Sequence, residues 1–474
     1  MRPMNTLLVP LLMAALLFLN IEVVNARNSF VPSVSYRMDV PVYVYEGAIS
    51  VQFNSVAVSD YNRDGIDDFI AAVTEFVPGG LWAEYLVIRF GSKTNPPFAI
   101  GFQVADVAFR RAEFTALRSH GSLFGLALGR WDLDSDIDLA FTNALDSKIT
   151  IVHGGDLNPQ AELPVGSYPN DAVSGDFNGD GQDDIATANF GDNSVSVLLN
   201  NGFSTFRSAY QRDVGRNPKR LVASDLNGDG KSDLAVADYS SGGVSVLLDV
   251  AERAGRVTRL QANDGPSDVT AGDLNGDGKP DLAVTSSNAN TLSIFLNKGD
   301  GTFSPKVDYA VGGHPEAVVM ADCDGDGQLD VVVANETTSA VIVFHGASDG
   351  TVVRRDAYSV GKGPTKIVKG DFNDDGRIDL LTLNTGDRTF SVLLGSATGV
   401  KPGDLDRDGA ITTMDVRQLL DIYLGRLPAS PGDIAVGDVR PKPGANGRPY
   451  GDGRIGQDDL KWVLRAALGL ETSP

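Results

Sequence analysis

The sequence predicts an all-β, seven-bladed β-propeller followed by a small all-α, EF-hand-like module. Three observations carry that expectation. An Asp-rich loop of nine residues recurs seven times, the last five copies begin 48 or 49 residues apart, and helical periodicity appears only after residue 400. A period of that length, filled with short strand-like runs and turns, belongs to propellers and related arrays. The predicted divisions are a leader at 1–26, the propeller at 27–400 and the helical module at 401–474.

The leader is read from Arg2, an apolar run at 7–19 and a small residue at Ala26. A run of about 13 residues is too short to span a bilayer but suits a signal peptide. No later stretch is long and apolar enough to cross a membrane, so the expected location is extracellular or at the cell surface. The chain has one cysteine, so no disulfide within it can hold an exported fold, and metal is the expected substitute. That residue, Cys323, reads as a small buried apolar group. The net charge of −22 and the 53 glycines point to metal loops and turns. They argue against nucleic acid, whose phosphates need a basic surface.

The propeller rests on the loop itself. Good copies occupy 60–68, 176–184, 225–233, 273–281, 322–330 and 371–379, and a degenerate copy lies at 130–138. Five are preceded, seven residues upstream, by Pro169, Pro218, Pro266, Pro315 and Pro364. Each is followed by apolar runs such as Asp281-Leu-Ala-Val-Thr and Thr291-Leu-Ser-Ile-Phe-Leu. Such runs, separated by turns, predict antiparallel blades that bury their edges by closing into a ring. The last copy ends after the run at Phe390 and lacks a fourth strand. Ser29-Phe30-Val-Pro-Ser-Val34-Ser-Tyr36 matches Thr302-Phe303-Ser-Pro-Lys-Val307-Asp-Tyr309, so the N-terminal strand is expected to complete the seventh blade.

Alternate acidic residues, then Gly, then a further Asp bring several oxygens around one point, which suits Ca2+. The candidate side-chain ligands are Asp60, Asn62, Asp64 and Asp68; Asp176, Asn178, Asp180 and Asp184; and Asp225, Asn227, Asp229 and Asp233. The remaining sets are Asp273, Asn275, Asp277 and Asp281; Asp322, Asp324, Asp326 and Asp330; and Asp371, Asn373, Asp375 and Asp379. In the fourth of these sets Lys279 would add a backbone carbonyl. About six structural calcium ions are therefore expected. The degenerate copy has Arg130 in place of the first Asp and Ser135 in place of Gly, so its guanidinium is expected to stand in for the ion.

The unit Gly272-Asp-Leu-Asn-Gly-Asp-Gly-Lys-Pro-Asp-Leu-Ala-Val, followed by Leu296-Asn-Lys-Gly-Asp-Gly-Thr-Phe303, resembles the FG-GAP/VCBS repeat. That family also forms the propeller of integrin α chains. The resemblance covers about 28–400 and implies a seven-bladed, calcium-bearing propeller used for adhesion and recognition. The first two copies depart from it, with about twenty extra residues between their loops, among them Trp82, Tyr85 and Phe90.

After Val400 the pattern becomes that of a twelve-residue calcium loop. Asp404, Asp406, Asp408, Ala410 (through its carbonyl), Thr412 and Asp415 fill positions 1, 3, 5, 7, 9 and 12, with Gly409 at 6. An apolar helical pattern from Val416 to Leu424 follows. A second, interrupted copy offers Asp438, Asp452 and Asp459 before a helix at 460–468. One or two further calcium ions are expected here. The pair resembles a type I dockerin, which implies a cohesin-like partner read by Thr413, Met414, Gln457 and Asp458.

No catalytic constellation stands out. The four histidines have no metal-ligand spacing and read as surface or loop residues, and no Gly-x-Ser-x-Gly occurs. Gly230-Lys231-Ser232 imitates a phosphate loop, but Asp225 stands where the required Gly belongs. The expected function is calcium-dependent recognition of a glycan or protein, with a dockerin-mediated tether and a role in polysaccharide-degrading assemblies. The alternative is a polysaccharide lyase or glycoside hydrolase on the same scaffold, which dockerins often accompany.

Overall fold

The computed structural model describes Phe30, 34–37, 50–77 and 81–89, then 123–395 apart from 133, 135, 155–158, 203–204, 253–254 and 375, and finally 416–417 and 419–420. The leader, Phe90, His120 and nearly all of the C-terminal module lie outside these residues. So do the candidate ligands at 375, 404, 406, 408, 410, 412, 415, 438, 452 and 459, and the partner-reading residues at 413, 414, 457 and 458. Val416, Arg417, Leu419 and Leu420 are helical, as the apolar pattern there predicts.

The described strands form seven antiparallel sheets. The chain begins with β1 (Val34–Arg37), whose partner comes from the far end. The first sheet is β2 (Ser50–Ser59), β3 (Asp68–Val77) and β4 (Leu81–Arg89). The second is β5 (Leu123–Gly129), β6 (Asp138–Asn143), β7 (Lys148–Val152) and β8 (Pro159–Pro164). The third is β9 (Pro169–Gly175), β10 (Asp184–Asn189), β11 (Ser194–Asn200) and β12 (Phe206–Asp213). The fourth is β13 (Pro218–Ser224), β14 (Asp233–Asp238), β15 (Gly243–Leu248) and β16 (Arg256–Gln261). The fifth is β17 (Pro266–Gly272), β18 (Asp281–Ser286), β19 (Thr291–Phe295) and β20 (Val307–Ala310). The sixth is β21 (Pro315–Ala321), β22 (Asp330–Asn335), β23 (Ala340–Gly346) and β24 (Val352–Ser359). The seventh is β25 (Pro364–Gly370), β26 (Asp379–Asn384) and β27 (Thr389–Leu393), completed by β1.

Burial is graded across each sheet. The second strands β6, β10, β14, β18, β22 and β26 are buried along their whole length. Both of their faces are covered by neighbouring sheets, which is why they read as continuous apolar runs rather than alternating ones. The outer strands β16 and β20 are mostly exposed. A hydrophobic cluster fills every gap between consecutive sheets, and one holding Val56, Phe69, Phe372 and Phe390 joins the seventh sheet to the first. The first strands touch in the same order, β2 to β5, β9, β13, β17, β21 and β25, and β25 returns to β2. Trp131 is wholly buried in the cluster between the second and third sheets, and Cys323 is buried between the sixth and seventh.

The seventh sheet is completed as the sequence match predicts. β1 pairs β27 with Val34 opposite Val392 and Tyr36 opposite Phe390, and Phe30 bridges Gly395. In the fifth sheet, Ile294 faces Val307, Leu292 faces Tyr309 and Asn297 bridges Phe303. The two registers coincide position for position. Within the inserted text of the first repeat, Trp82 and Tyr85 lie in strand β4, paired with Phe76 and Val73. That segment carries no repeat motif, so its strand was not legible beforehand.

Candidate metal centres

Each Asp-rich loop joins the first strand of its sheet to the second, so the seven gather at one end of the array. The ninth-position Asp organises them. Asp68, Asp138, Asp184, Asp233, Asp281, Asp330 and Asp379 are all buried. In the third sheet Asp184 accepts the Phe177 amide at 3.0 Å and the Asn200 amide at 2.7 Å. The same two bonds recur from Leu274 and Asn297 to Asp281, and from Trp131 and Gly154 to Asp138. This carboxylate therefore staples the start of the loop to the end of the third strand. It persists in the degenerate copy because that duty needs no ion. Spacing alone could not separate a staple from a ligand.

The remaining oxygens converge from the other side. In the third loop Asp176 accepts the amides of Gly179, Asp180 and Gly181 at 2.7, 3.1 and 2.8 Å. Asn178 accepts the Asp180 amide at 2.8 Å, and Asp180 accepts that of Gln182 at 2.9 Å. The pattern repeats in the loops at Asp225 and Asp273. The sixth-position glycine is what lets the chain double back. Gly65, Gly181, Gly230, Gly278, Gly327 and Gly376 all have φ between +77° and +87°. A Cβ there would meet nothing within 4 Å, so backbone conformation and not space demands glycine.

The donor set fits a hard divalent cation. Three oxygen-bearing side chains share each loop with a buried carboxylate, and such hard oxygen donors suit an ion of this kind. The electrostatics agree. Burial, helped by the neighbouring loop carboxylates, raises the Asp184 carboxyl to about 6 and that of Asp233 to about 7, against the backbone bonds each accepts. Such crowded acids are relieved by a cation. In the sixth loop Asp322, Asp324 and Asp326 approach closely enough to share an ion, and the degenerate loop still gathers Asp132, Asp134 and Asp138. Asp136 of that loop pairs with Arg63 of the preceding loop.

One residue escaped the sequence reading. His345, taken there for a surface or loop residue, is buried, with Nδ1 3.2 Å from Asp324 and 3.4 Å from Asp330. Its Nε2 lies 2.9 Å from Asp356. Three facing carboxylates outweigh its burial and raise its pKa to about 11. The available signal was the change from Asn to Asp at the third loop position.

The opposite end carries the hairpins between second and third strands and the connections between sheets. Phe124, Tyr168 and Phe190 form a chain of ring contacts there, with centroids 5.6 and 6.0 Å apart. Nearby Lys219 pairs with Glu316 at 2.7 Å and covers the Tyr239 ring, and His314 lies 3.0 Å from both Glu316 and Glu336. Asp192, Asp213, Arg216 and Arg259 line a shallow polar cleft on this side.

The sheets and loops together define an all-β protein of repeated antiparallel sheets, like β-propellers of known structure. Within it, residues 176–236, 225–284, 273–333 and 322–382 match the FG-GAP-like repeat, so the chain carries four such repeats. A search of curated proteins found no match. Among solved structures, BBS1N in complex with ARL6DN shares 13% identity, covering 79% of this chain and 99% of that one, with a TM-score of 0.50. That likeness shows the fold alone. Weaker likenesses join the chain to virginiamycin B lyase from Staphylococcus aureus (13% identity, 73% and 98% covered, TM-score 0.45). Another is to a lectin from Agrocybe aegerita that recognises non-reducing terminal N-acetylglucosamine (19%, 70% and 90%, 0.42).

Proposed function

We propose that the chain is a secreted, calcium-loaded, seven-bladed β-propeller that recognises a glycan or protein, tethered through a dockerin-like C-terminal module to a cohesin-type partner. The observation that carries the reading is the recurrence of one converging oxygen loop at one end of every sheet from the third to the sixth. Calcium in those loops would lock the strand connections and leave the opposite end as a rigid recognition platform. Its aromatic chain at Phe124, Tyr168 and Phe190, beside the Lys219 and Glu316 pair, supplies the mix of ring faces and charges that sugars and protein side chains engage.

Calcium added to the chelated full-length protein should raise its melting temperature. Each site contributes about 2.7 kcal/mol when the free ion is a hundredfold above its dissociation constant. An identical melting curve in chelator and calcium would overturn the metal reading. Retention on a glycan and matrix-protein array tests recognition, and turnover of any polysaccharide on it would favour catalysis instead. A cohesin pull-down that is indifferent to chelator would remove the tether.

A further inference from the structure

The residue that precedes the stapling amide differs between sheets. In the third, fourth, fifth and seventh sheets that residue is Leu199, Leu248, Leu296 or Leu394, and the third loop position is Asn178, Asn227, Asn275 or Asn373. In the second and sixth sheets both change together. His153 precedes Gly154 and His345 precedes Gly346, while the third position becomes Asp132 or Asp324. The histidine faces the new carboxylate in both cases, His153 Nδ1 at 3.4 Å from Asp132 and His345 Nδ1 at 3.2 Å from Asp324.

From this we infer that the sixth loop is a transition-metal site, in which His345 Nδ1 joins Asp324 and Asp330 around a borderline-soft dication such as Zn2+. The inference rests on the reading that these loops hold divalent cations, and it changes the ion at one of them. Oxygen-only shells suit calcium, whereas an imidazole nitrogen selects zinc and its neighbours. The His345 side chain is 7% exposed, and its Nδ1 is aimed between the carboxylates of Asp324 and Asp330. Its separations from them, 3.2 and 3.4 Å, match the edge of about 3.3 Å expected between ligands at 2.0–2.1 Å around a tetrahedral ion. The other ring nitrogen meets Asp356 at 2.9 Å. A carboxylate on the far nitrogen is the arrangement that orients a metal-bound histidine. Asp324, Asp330 and His345 bring their ligand atoms within 4.8 Å of one another.

The test titrates Zn2+ into the calcium-saturated full-length chain and reads both metals by elemental analysis, with Co2+ absorption reporting the coordination. The expected result is tight zinc uptake that His345→Leu abolishes and Asp356→Asn weakens 10- to 100-fold. Leu already stands at this position in four sheets, so the variant should fold, and its melting curve verifies that. The double variant His345→Leu with Asp324→Asn recreates the common loop, and should exchange the lost zinc for one added calcium. Zinc binding unchanged in His345→Leu, or no zinc uptake by the calcium-loaded protein, overturns the inference. In that case His345 serves as an imidazolium that replaces an ion. Calcium content in the same samples separates this failure from failure of the loops as calcium sites.

Discussion

The ninth-position Asp is the residue on which each loop turns, and its two backbone bonds set its worth apart from any ion. Asp138→Ala would leave the Trp131 and Gly154 amides without acceptors in the degenerate loop. A loss of roughly 2–5 kcal/mol is expected, measured by chemical denaturation and unchanged by chelator. Gly278 tests the complementary point. With φ at +82° and open space around it, Gly278→Ala should cost about 1–2 kcal/mol through backbone strain alone. The loops were legible because their Asp and Gly spacing is local. The His345 site was not, since its partners lie on the loop before and the strand after, and nothing in a nine-residue motif links them.

At the scale of elements, β1 is the part whose role the text of the chain disclosed most directly. The match to the fifth repeat extends to the register, with Phe30 taking the place of Phe303. Phe30 is buried against Tyr358, their rings edge to face at 5.5 Å. Deleting residues 27–40 should sharply lower the melting temperature and leave β27 as an open edge prone to pair with other chains. A truncated chain that melts normally and stays monomeric would contradict this. β4 shows the opposite case. Its nine residues pair fully with β3, yet strand pairing asks only for extended backbone and suitable side chains, so the loss of the repeat text hid it.

At the scale of the whole molecule, the inner strands hold charge where the sheets meet. Asp171 pairs with Arg220 at 3.2 Å and accepts the Leu221 amide of the next sheet, and Asp268 accepts the Val318 amide in the same way. Burial lifts the Asp268 carboxyl to about 7, against the pull of Arg220. The folded state thus holds this proton more tightly than the unfolded chain, whose carboxyl titrates near 3.8. Its cost is absent below that value, grows as pH rises, and is complete above about 7. Asp268→Asn keeps an acceptor for Val318 and should gain melting temperature over the parent across that window, with no difference at acidic pH. A constant difference at all pH values would point to packing instead.

The way β1 meets β27 also decides how the protein bears tension. Val34, at the leading end of one strand, faces Val392 at the trailing end of the other. A pull on the two chain ends therefore acts on the same end of the pair, and its hydrogen bonds load one after another. Such a joint peels like a zip fastener instead of shearing all at once. In an optical trap the seventh sheet should give way first and at low force, long before any sheet stitched by consecutive strands. A molecule anchored at one terminus and drawn by the other would carry a built-in mechanical fuse.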